Sequence, residues 1–387
     1  MRPLKILFIT DGFPPQVGGV PISSSRLAKA LAAGGHEVHV FNILQDGNPG
    51  EVRSEREGTL MVHRLSSVAG AETTLQLADD VIRHIQAQVG FDIFHGHYLV
   101  PMGYLATYLA RRYGAKSYVS ARGNDVDRCM FVESQLSPLL WTLQHADAIG
   151  CVSRELTEKC RALVPRKEIY FTPNSVDCGL FRPQPKAQEL LARFGWKEEE
   201  AVVGFVGELR LKKGFRFILD AFREVRQRRP ARLLLVGGVR WDEKTFLRKY
   251  LQQYPDLDAD MRIVEYTQDR EELVKYYNLM DIVLSPSLWD GMPNSVLEAM
   301  ACARPVVASD AGGIRDVLRD GECGVVIPTK ELHVLGSRCL ELLEAGEARS
   351  RAMGHQARAY VQEHHAQGAE TDRLLSLYQM IMESPRQ

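Results

Sequence analysis

Two carboxylates, Asp290 and Glu298, stand eight positions apart in the run SPSLWDGMPNSVLEAMACARPVVASDAGG, residues 285–313. The apolar run DIVLSPS ends where this stretch begins and reads as a strand feeding a turn. Pro293 suits the first turn of a helix, where a backbone N–H has no partner inside the helix anyway. The helix then reads SVLEAMACA up to Arg304-Pro305, and a second apolar run, PVVAS, follows. A helix that starts just after a strand offers unpaired N–H groups and the positive end of its dipole, which suits a diphosphate. Gly291, Met292, Pro293, Asn294 and Ser295 would form that cradle. Carboxylates do not hold phosphate; they accept hydrogen bonds from hydroxyls, as sugars offer. Phosphate donors and hydroxyl acceptors in one turn of chain point to a nucleotide-sugar site.

Other segments carry candidate chemistry. GELRLKKG, residues 207–214, follows an apolar run and presents Arg210 as a planar fork and Lys213 as a point charge, both able to reach a diphosphate. The bland alternative is a pair of solvated basic residues at a helix start. Gly18-Gly19, in DGFPPQVGGVP, would let the backbone come close to a ligand, although a bare glycine pair is also a common turn. ARGNDVD, residues 121–127, puts Arg122, Asn124 and Asp125 after another apolar run. Arg122 stays protonated, so a role for it is electrostatic; an Asp here also caps turns. His95 and His97 alternate at a strand end with no third ligand at motif spacing. His95 reads as a satisfied structural histidine.

These segments sit at the ends of elements that must place them. Strand-like runs alternate with helical patterns from LKILFIT (4–10) through EIYFTPN (168–174), with a single strand, TLMVHRL (59–65), between HEVHVFNI and the next helix. The regularity lapses in FRPQPKAQELLARFGWKEEE, which reads as a linker. It restarts with AVVGFVG (201–207) and continues to GVVIP (324–328), before an amphipathic tail helix. This pattern predicts an α/β protein with two parallel-sheet domains, 1–180 and 181–369. A chain of 387 residues also exceeds what one core commonly supports. With 45% hydrophobic and 25% charged residues it is an ordinary globular composition, and a net charge of -1 gives no sign of nucleic-acid binding. The seven scattered Cys form no CxxC, so neither a zinc site nor a disulfide framework is expected. No run of 18 apolar residues occurs.

Residues 285–313 resemble the acidic pair E-G-x-x-x-x-x-L-E followed by A-x-x-x-G-x-P-V-V-A of the retaining glycosyltransferases of family 4 (glycosyl transferases group 1). The resemblance extends through GELRLKKG (family G-R-L-x-x-x-K-G), FPPQVGGV in the first loop, ARGNDVD (family H-G-x-D), TPNSVD and AGGIRDVLRDG, and so spans nearly the whole chain. This sequence departs from the pattern at Asp290 (Glu in the family), at Glu208 (Arg) and at Arg122 (His). The resemblance implies the GT-B architecture: two Rossmann-like domains facing across a cleft, the first meeting the acceptor, the second holding the donor, and a C-terminal helix, about 370–387, packed back on the first.

It implies transfer of a sugar, with retention, from a nucleotide-diphosphate sugar to an acceptor hydroxyl, with front-face attack and the donor phosphate taking the proton. Asp290, Arg210, Lys213 and Arg122 would act in catalysis. Gly18, Gly19, Glu298, the 291–295 turn, Tyr266 and Thr267 would bind the donor, Glu298 at its ribose and 266–267 near its base. His97, Asn124 and Asp125 would lie on the acceptor side. No cofactor or metal is expected beyond the nucleotide-sugar co-substrate. The expected acceptor is a small molecule, a glycan or a lipid-linked acceptor, and the expected place of action is the cytoplasm, with room for peripheral contact at the inner face of the membrane. A nucleotide-sugar epimerase or hydrolase of the same architecture, and a non-catalytic nucleotide-sugar-binding subunit, are the rival readings.

Overall fold

A computed structural model describes residues 2–385. The chain divides into two compact units. The first runs to Asn174 and takes back the chain from Glu370; the second is Ser175–Ala369. The division falls just after Asn174 because Val176 already pairs in the second unit, its N–H donating to the His365 carbonyl at 2.8 Å.

The first unit is an eight-stranded sheet in the order β3-β4-β2-β1-β5-β6-β7-β8. Its strands are β1 (Lys5–Thr10), β2 (Glu37–Leu44), β3 (Val52–Glu57), β4 (Leu60–Ser66), β5 (Ile93–His97), β6 (Lys116–Ala121), β7 (Ala148–Cys151) and β8 (Ile169–Phe171). All neighbours are parallel except β3, which runs antiparallel to β4. The expectation of one strand here is corrected to a hairpin. VRSERE carries no apolar alternation because β3 is an exposed edge, and charged residues on an edge strand discourage pairing with another chain.

Helices α1 (Gly19–Ala33), α2 (Ala71–Val89), α3 (Tyr104–Tyr113), α4 (Asn124–Cys129), α5 (Glu133–His145) and α6 (Arg154–Leu163) connect the strands. Leu27 and Leu31 of α1 share one face of the sheet with Leu374, Tyr378 and Ile381 of the C-terminal helix, Gln367–Glu383. Ala78, Ile82, Leu105 and Leu109 of α2 and α3 cover the other. Parallel strands covered on both faces read as near-continuous apolar runs, which is why KILFIT and IFHGH stood out. The far end of the expected tail helix, 386–387, lies outside the described residues.

The second unit has a six-stranded parallel sheet, order β11-β10-β9-β12-β13-β14. The strands are β9 (Ala201–Val206), β10 (Ala231–Val236), β11 (Met261–Val264), β12 (Ile282–Ser285), β13 (Val306–Ser309) and β14 (Gly324–Ile327). The expected linker is corrected here. It contains α7 (Gln188–Phe194), whose Leu190, Leu191 and Phe194, with Trp196, are buried. The prolines and acidic residues around it masked a short apolar face. Further helices include α8 (Phe215–Arg228), α9 (Lys244–Gln253), α10 (Arg270–Leu279) and α11 (Asn294–Ala301). Pro293 is extended (φ -71°, ψ 122°) and precedes α11 rather than sitting in its first turn.

Candidate active site

In the second unit the loops after β9 and β12 are stitched together by backbone. Gly214 has φ +71°, and a Cβ there would lie 2.0 Å from the Pro286 carbonyl oxygen, so only glycine lets the two loops touch. The Leu288 N–H donates to the Lys212 carbonyl at 2.8 Å. The same rule applies after β13: Gly312, at φ +58°, would place a Cβ 2.0 Å from the Asp290 carbonyl oxygen, and the Gly313 N–H donates to the Gly291 carbonyl. Three strand-end loops thus converge on Asp290, at the carboxyl ends where open parallel sheets place ligands.

Lys213 comes off the short turn Leu211–Lys213, and its ammonium hydrogen-bonds the Asp290 carboxylate, both side chains being mostly buried. Asp290 also accepts from the Gly291 N–H at 2.9 Å and lies 3.4 Å from the Ser287 hydroxyl. Burial works against its charge, but the positive charges of Lys213 and Lys212 and the bonds from Lys213 and Gly291 outweigh it and hold the carboxyl below the ordinary range. Arg210 sits nearby in sequence and pairs with Glu208 at 3.2 Å. The residue that replaces the family's Arg thus holds the Arg that follows it.

Glu298 lies within α11, buried, and accepts a 2.8 Å bond from the Tyr277 hydroxyl of α10. Burial and then the Glu298 charge push the Tyr277 phenol well above its usual value, so it remains a donor. Tyr266 follows β11 and is 39% exposed; burial and the Glu298 charge raise its phenol too. Thr267 sits beside it with its hydroxyl occupied, donating to Glu272 at 3.0 Å and accepting from the Asp269 N–H at 3.1 Å. That side chain shapes the start of α10, with Asp269 as the cap. Met292 is buried, and Asn294 and Ser295 open α11. Sequence reasoning missed Tyr277 and Ser287. Tyr277 reads as an apolar helix residue in VKYYNLM, and only the fold aims it at Glu298.

In the first unit Gly18, at φ +140°, precedes α1, and Gly19 is its first residue. Asp125, expected on the acceptor side, is tied into its own loop. The residue is buried, and its carboxylate accepts from the N–H groups of Gly123 at 2.7 Å, Arg122 at 2.9 Å and Leu99 at 3.2 Å. Those bonds hold the loop after β6 to the loop after β5. Arg122 donates to Asn174 Oδ1 at 2.6 Å, and burial lowers its pKa from an arginine's ordinary value. His97 is fully buried and hydrogen-bonded to the Ser23 hydroxyl at 3.0 Å. Burial, with the charges of Arg122 and Arg26 and the neighbouring His95, drives its pKa well down, so it is a neutral ring inside the unit. His95 bonds Tyr378 at 2.6 Å and Ser120 at 3.1 Å, as its structural reading expects. Asn124 is the first residue of α4, a helix that the loop reading of ARGNDVD did not anticipate. Among the described residues no group of three His, Cys, Asp or Glu is arranged to hold a metal ion, and no helix is long and apolar enough to cross a membrane.

Comparison with known proteins bears on both units. The family profile described as Glycosyltransferase Family 4 matches residues 17–180, and that of Glycosyl transferases group 1 matches residues 200–345. The chain is 25% identical over 375 residues to an N-acetyl-alpha-D-glucosaminyl L-malate synthase of Bacillus anthracis, covering 95% of this chain and 94% of that one. It is 29% identical over 345 residues to a GDP-mannose-dependent alpha-mannosyltransferase of Mycobacterium tuberculosis, covering 85% of each. Its fold matches that of a sucrose-phosphate synthase from Thermosynechococcus elongatus with a TM-score of 0.84, at 23% identity, over 98% of this chain and 99% of that one. The two parallel-sheet units are those of the GT-B fold.

Proposed function

From the premise that this chain belongs to the family 4, group 1 glycosyltransferases and is an enzyme acting with a nucleotide sugar, we propose that it transfers the sugar with retention of anomeric configuration. The observation that carries the reading is the junction of Lys213 with Asp290, made by two glycine-stitched loops beside the start of α11. Arg210, Lys213 and the first N–H groups of α11 hold the diphosphate. As the glycosidic bond breaks, negative charge grows on the leaving nucleoside diphosphate, and preorganised cations act most strongly there. Asp290 accepts hydrogen bonds from hydroxyls of the transferred sugar. Glu298, oriented by Tyr277, accepts from the ribose hydroxyls, and Tyr266 flanks the base. The acceptor hydroxyl attacks from the face the leaving group departs from, and the departing phosphate oxygen takes its proton. Side-chain cations take the part that a divalent metal plays elsewhere, so transfer persists in EDTA.

The first-unit loop 11–19 meets the acceptor, and its Gly18 and Gly19 lie where acceptor and donor phosphate come together. The relatives named above motivate a screen of GDP-mannose and of nucleotide diphosphates carrying N-acetylglucosamine against L-malate and glycan acceptors. Thermal shift with the nucleotides comes first: at 100 times the dissociation constant a ligand stabilises by about 2.7 kcal/mol. Anomeric coupling constants of the product then read the stereochemistry. An inverted product, or complete loss of transfer in EDTA with recovery on adding Mg²⁺, overturns the corresponding part of the reading. Consumption of the donor with no acceptor present points instead to an epimerase or hydrolase.

A further inference from the structure

A row of polar residues crosses five adjacent strands of the first unit, one per strand, at matched register near their carboxyl ends. Thr10 of β1 is paired with Asn42 of β2, and Asn42 with Arg64 of β4. On the other side Thr10 is paired with His97 of β5, and His97 with Ser120 of β6. All five are buried. In parallel strands matched register puts these side chains on one face, the face covered by α1 and the C-terminal helix. Buried polar groups need partners, and several of this row find theirs in the loop between β1 and α1. Thr10 Oγ1 accepts from the Gly12 N–H at 3.1 Å. Asn42 Nδ2 donates to the Thr10 carbonyl at 3.2 Å and to Gln16 Oε1 at 3.3 Å, and the same Gln16 oxygen accepts from the Phe13 N–H at 3.0 Å. His97 meets Ser23 of α1.

Arg64 is the outermost member and the only charged arginine of the row. Its Nη2 donates to the Pro14 carbonyl at 3.0 Å and to Glu57 at 2.5 Å, and its Nη1 hydrogen-bonds Glu55. Glu55 and Glu57 stand two apart on β3, so they share one face of that strand. A guanidinium with carboxylates on one side and a peptide carbonyl on the other is a rigid spacer, because its planar fork fixes both sets of bonds at once. This explains what a charged edge hairpin contributes to the unit: it orients Arg64 from outside, and Arg64 holds the loop from beneath.

We propose that Arg64 is a positioning residue for the transfer reaction, setting the path of loop 11–19 through the Pro14 carbonyl under the control of Glu55 and Glu57. The inference rests on the reading that this loop meets the acceptor. It acts through backbone, with no contact between Arg64 and substrate.

The test compares Arg64→Ala, Arg64→Lys and Gly18→Ala with the wild-type chain by hydrogen–deuterium exchange, and by steady-state kinetics on the donor–acceptor pair that the screen yields. Arg64→Ala should exchange about tenfold faster in the peptide covering 11–19 while β9 and β12 keep their protection, as expected of local rather than global opening. Its acceptor KM should rise about 5- to 10-fold with a smaller fall in kcat, since misplacement weakens productive binding. Loss of folded protein alone would lower kcat and leave KM in place. Arg64→Lys, which still reaches Pro14, should recover most of both effects. Unchanged exchange in 11–19 for a folded Arg64→Ala overturns the proposal. If that variant does not fold, Glu55→Gln with Glu57→Gln takes its place and should show the same effects at smaller size; wild-type exchange and KM there overturn it equally. Gly18→Ala separates the two claims: wild-type kinetics for it overturn the reading of the loop as an acceptor contact, whatever Arg64 does to exchange.

Discussion

The two units treat their charged strand-end residues in opposite ways. In the second, Lys213 and Asp290 come from different loops and meet only each other and their immediate surroundings, with backbone glycines allowing the approach. In the first, the polar residues at the equivalent strand ends are occupied by their own scaffold: Asp125 holds three backbone N–H groups, Arg122 holds Asn174, and His97 holds Ser23. Polar groups that bond to backbone stiffen a loop and lend shape to a site. Charged groups that bond chiefly to each other can exchange that partner for a ligand. The second unit is therefore where substitutions should change chemistry, and the first is where they should change stability and fit.

The largest effect should come from Lys213→Ala. If its ammonium neutralises the leaving diphosphate, turnover falls by about 10² or more, the scale of removing one preorganised electrostatic donor, with a smaller change in donor KM. A turnover number within twofold of wild type in the folded variant would break the comparison at its strongest point, because Lys213 would then be a scaffold residue like those of the first unit.

Next comes a matched pair of carboxylate deletions. Glu298→Ala should weaken nucleotide binding by about 1.5–3 kcal/mol, as for a lost hydrogen bond to a charged group. Asp125→Ala should instead destabilise the protein by about 2–3 kcal/mol, since it leaves buried N–H groups unpaired. Calorimetry and chemical unfolding on both variants decide; a stability loss at Glu298 with intact affinity, or the converse at Asp125, reverses the assignment of the two units.

The same contrast explains what the sequence disclosed. Residues 285–313 were legible because strand end, turn, helix start and both acids lie in one run, and the glycines that permit their convergence are themselves in the text. The alternation of apolar runs and helical periods was enough for two parallel sheets. The turn-capping bonds of Asp125 to Arg122 and Gly123 were legible, but its tie to Leu99 was not, because Leu99 is 26 positions away and the bond is to backbone, which leaves no mark on residue type. Strand β3 was missed because its polarity serves the edge and the hold on Arg64, and periodicity reports only burial. Tyr277 was missed because a tyrosine in an apolar helix looks the same whether or not its hydroxyl meets a carboxylate.

Acid should separate the units further. His39 of β2 and His63 of β4 share a 3.0 Å bond, and His63 also bonds Ser54 at 2.8 Å. Burial, then the neighbouring His39, lowers the His63 pKa to about 4; burial lowers that of His39 as well, against the opposing pull of Glu37. A folded-state pKa below the unfolded value means that the unfolded chain binds protons first. The stabilisation is complete above the unfolded value of about 6.5 and declines as pH falls from there toward about 4. Thermal melts should show this decline, and His63→Gln should flatten it. A variant with the wild-type slope would place the acid sensitivity elsewhere.

The smallest predicted effect carries the most information about the second unit, because its sign is unusual. Lys213 is paired with Asp290, so a diphosphate must compete with a carboxylate for the same ammonium. Asp290→Asn removes the competing charge while keeping the size of the side chain. For a nucleoside diphosphate without its sugar, the variant should bind about fivefold tighter, since a partly buried ion pair is worth on the order of 1 kcal/mol. The nucleotide sugar should gain less, because it loses the hydroxyl contacts that Asp290 supplies, and turnover should fall. Titration calorimetry with UDP and GDP, alone and as their sugars, reads all of this in one series. If the asparagine variant binds the bare diphosphate no tighter than wild type, Lys213 serves carboxylate and phosphate together. Its pairing with Asp290 is then part of the bound geometry, and the second unit's site is as fixed as the loops of the first.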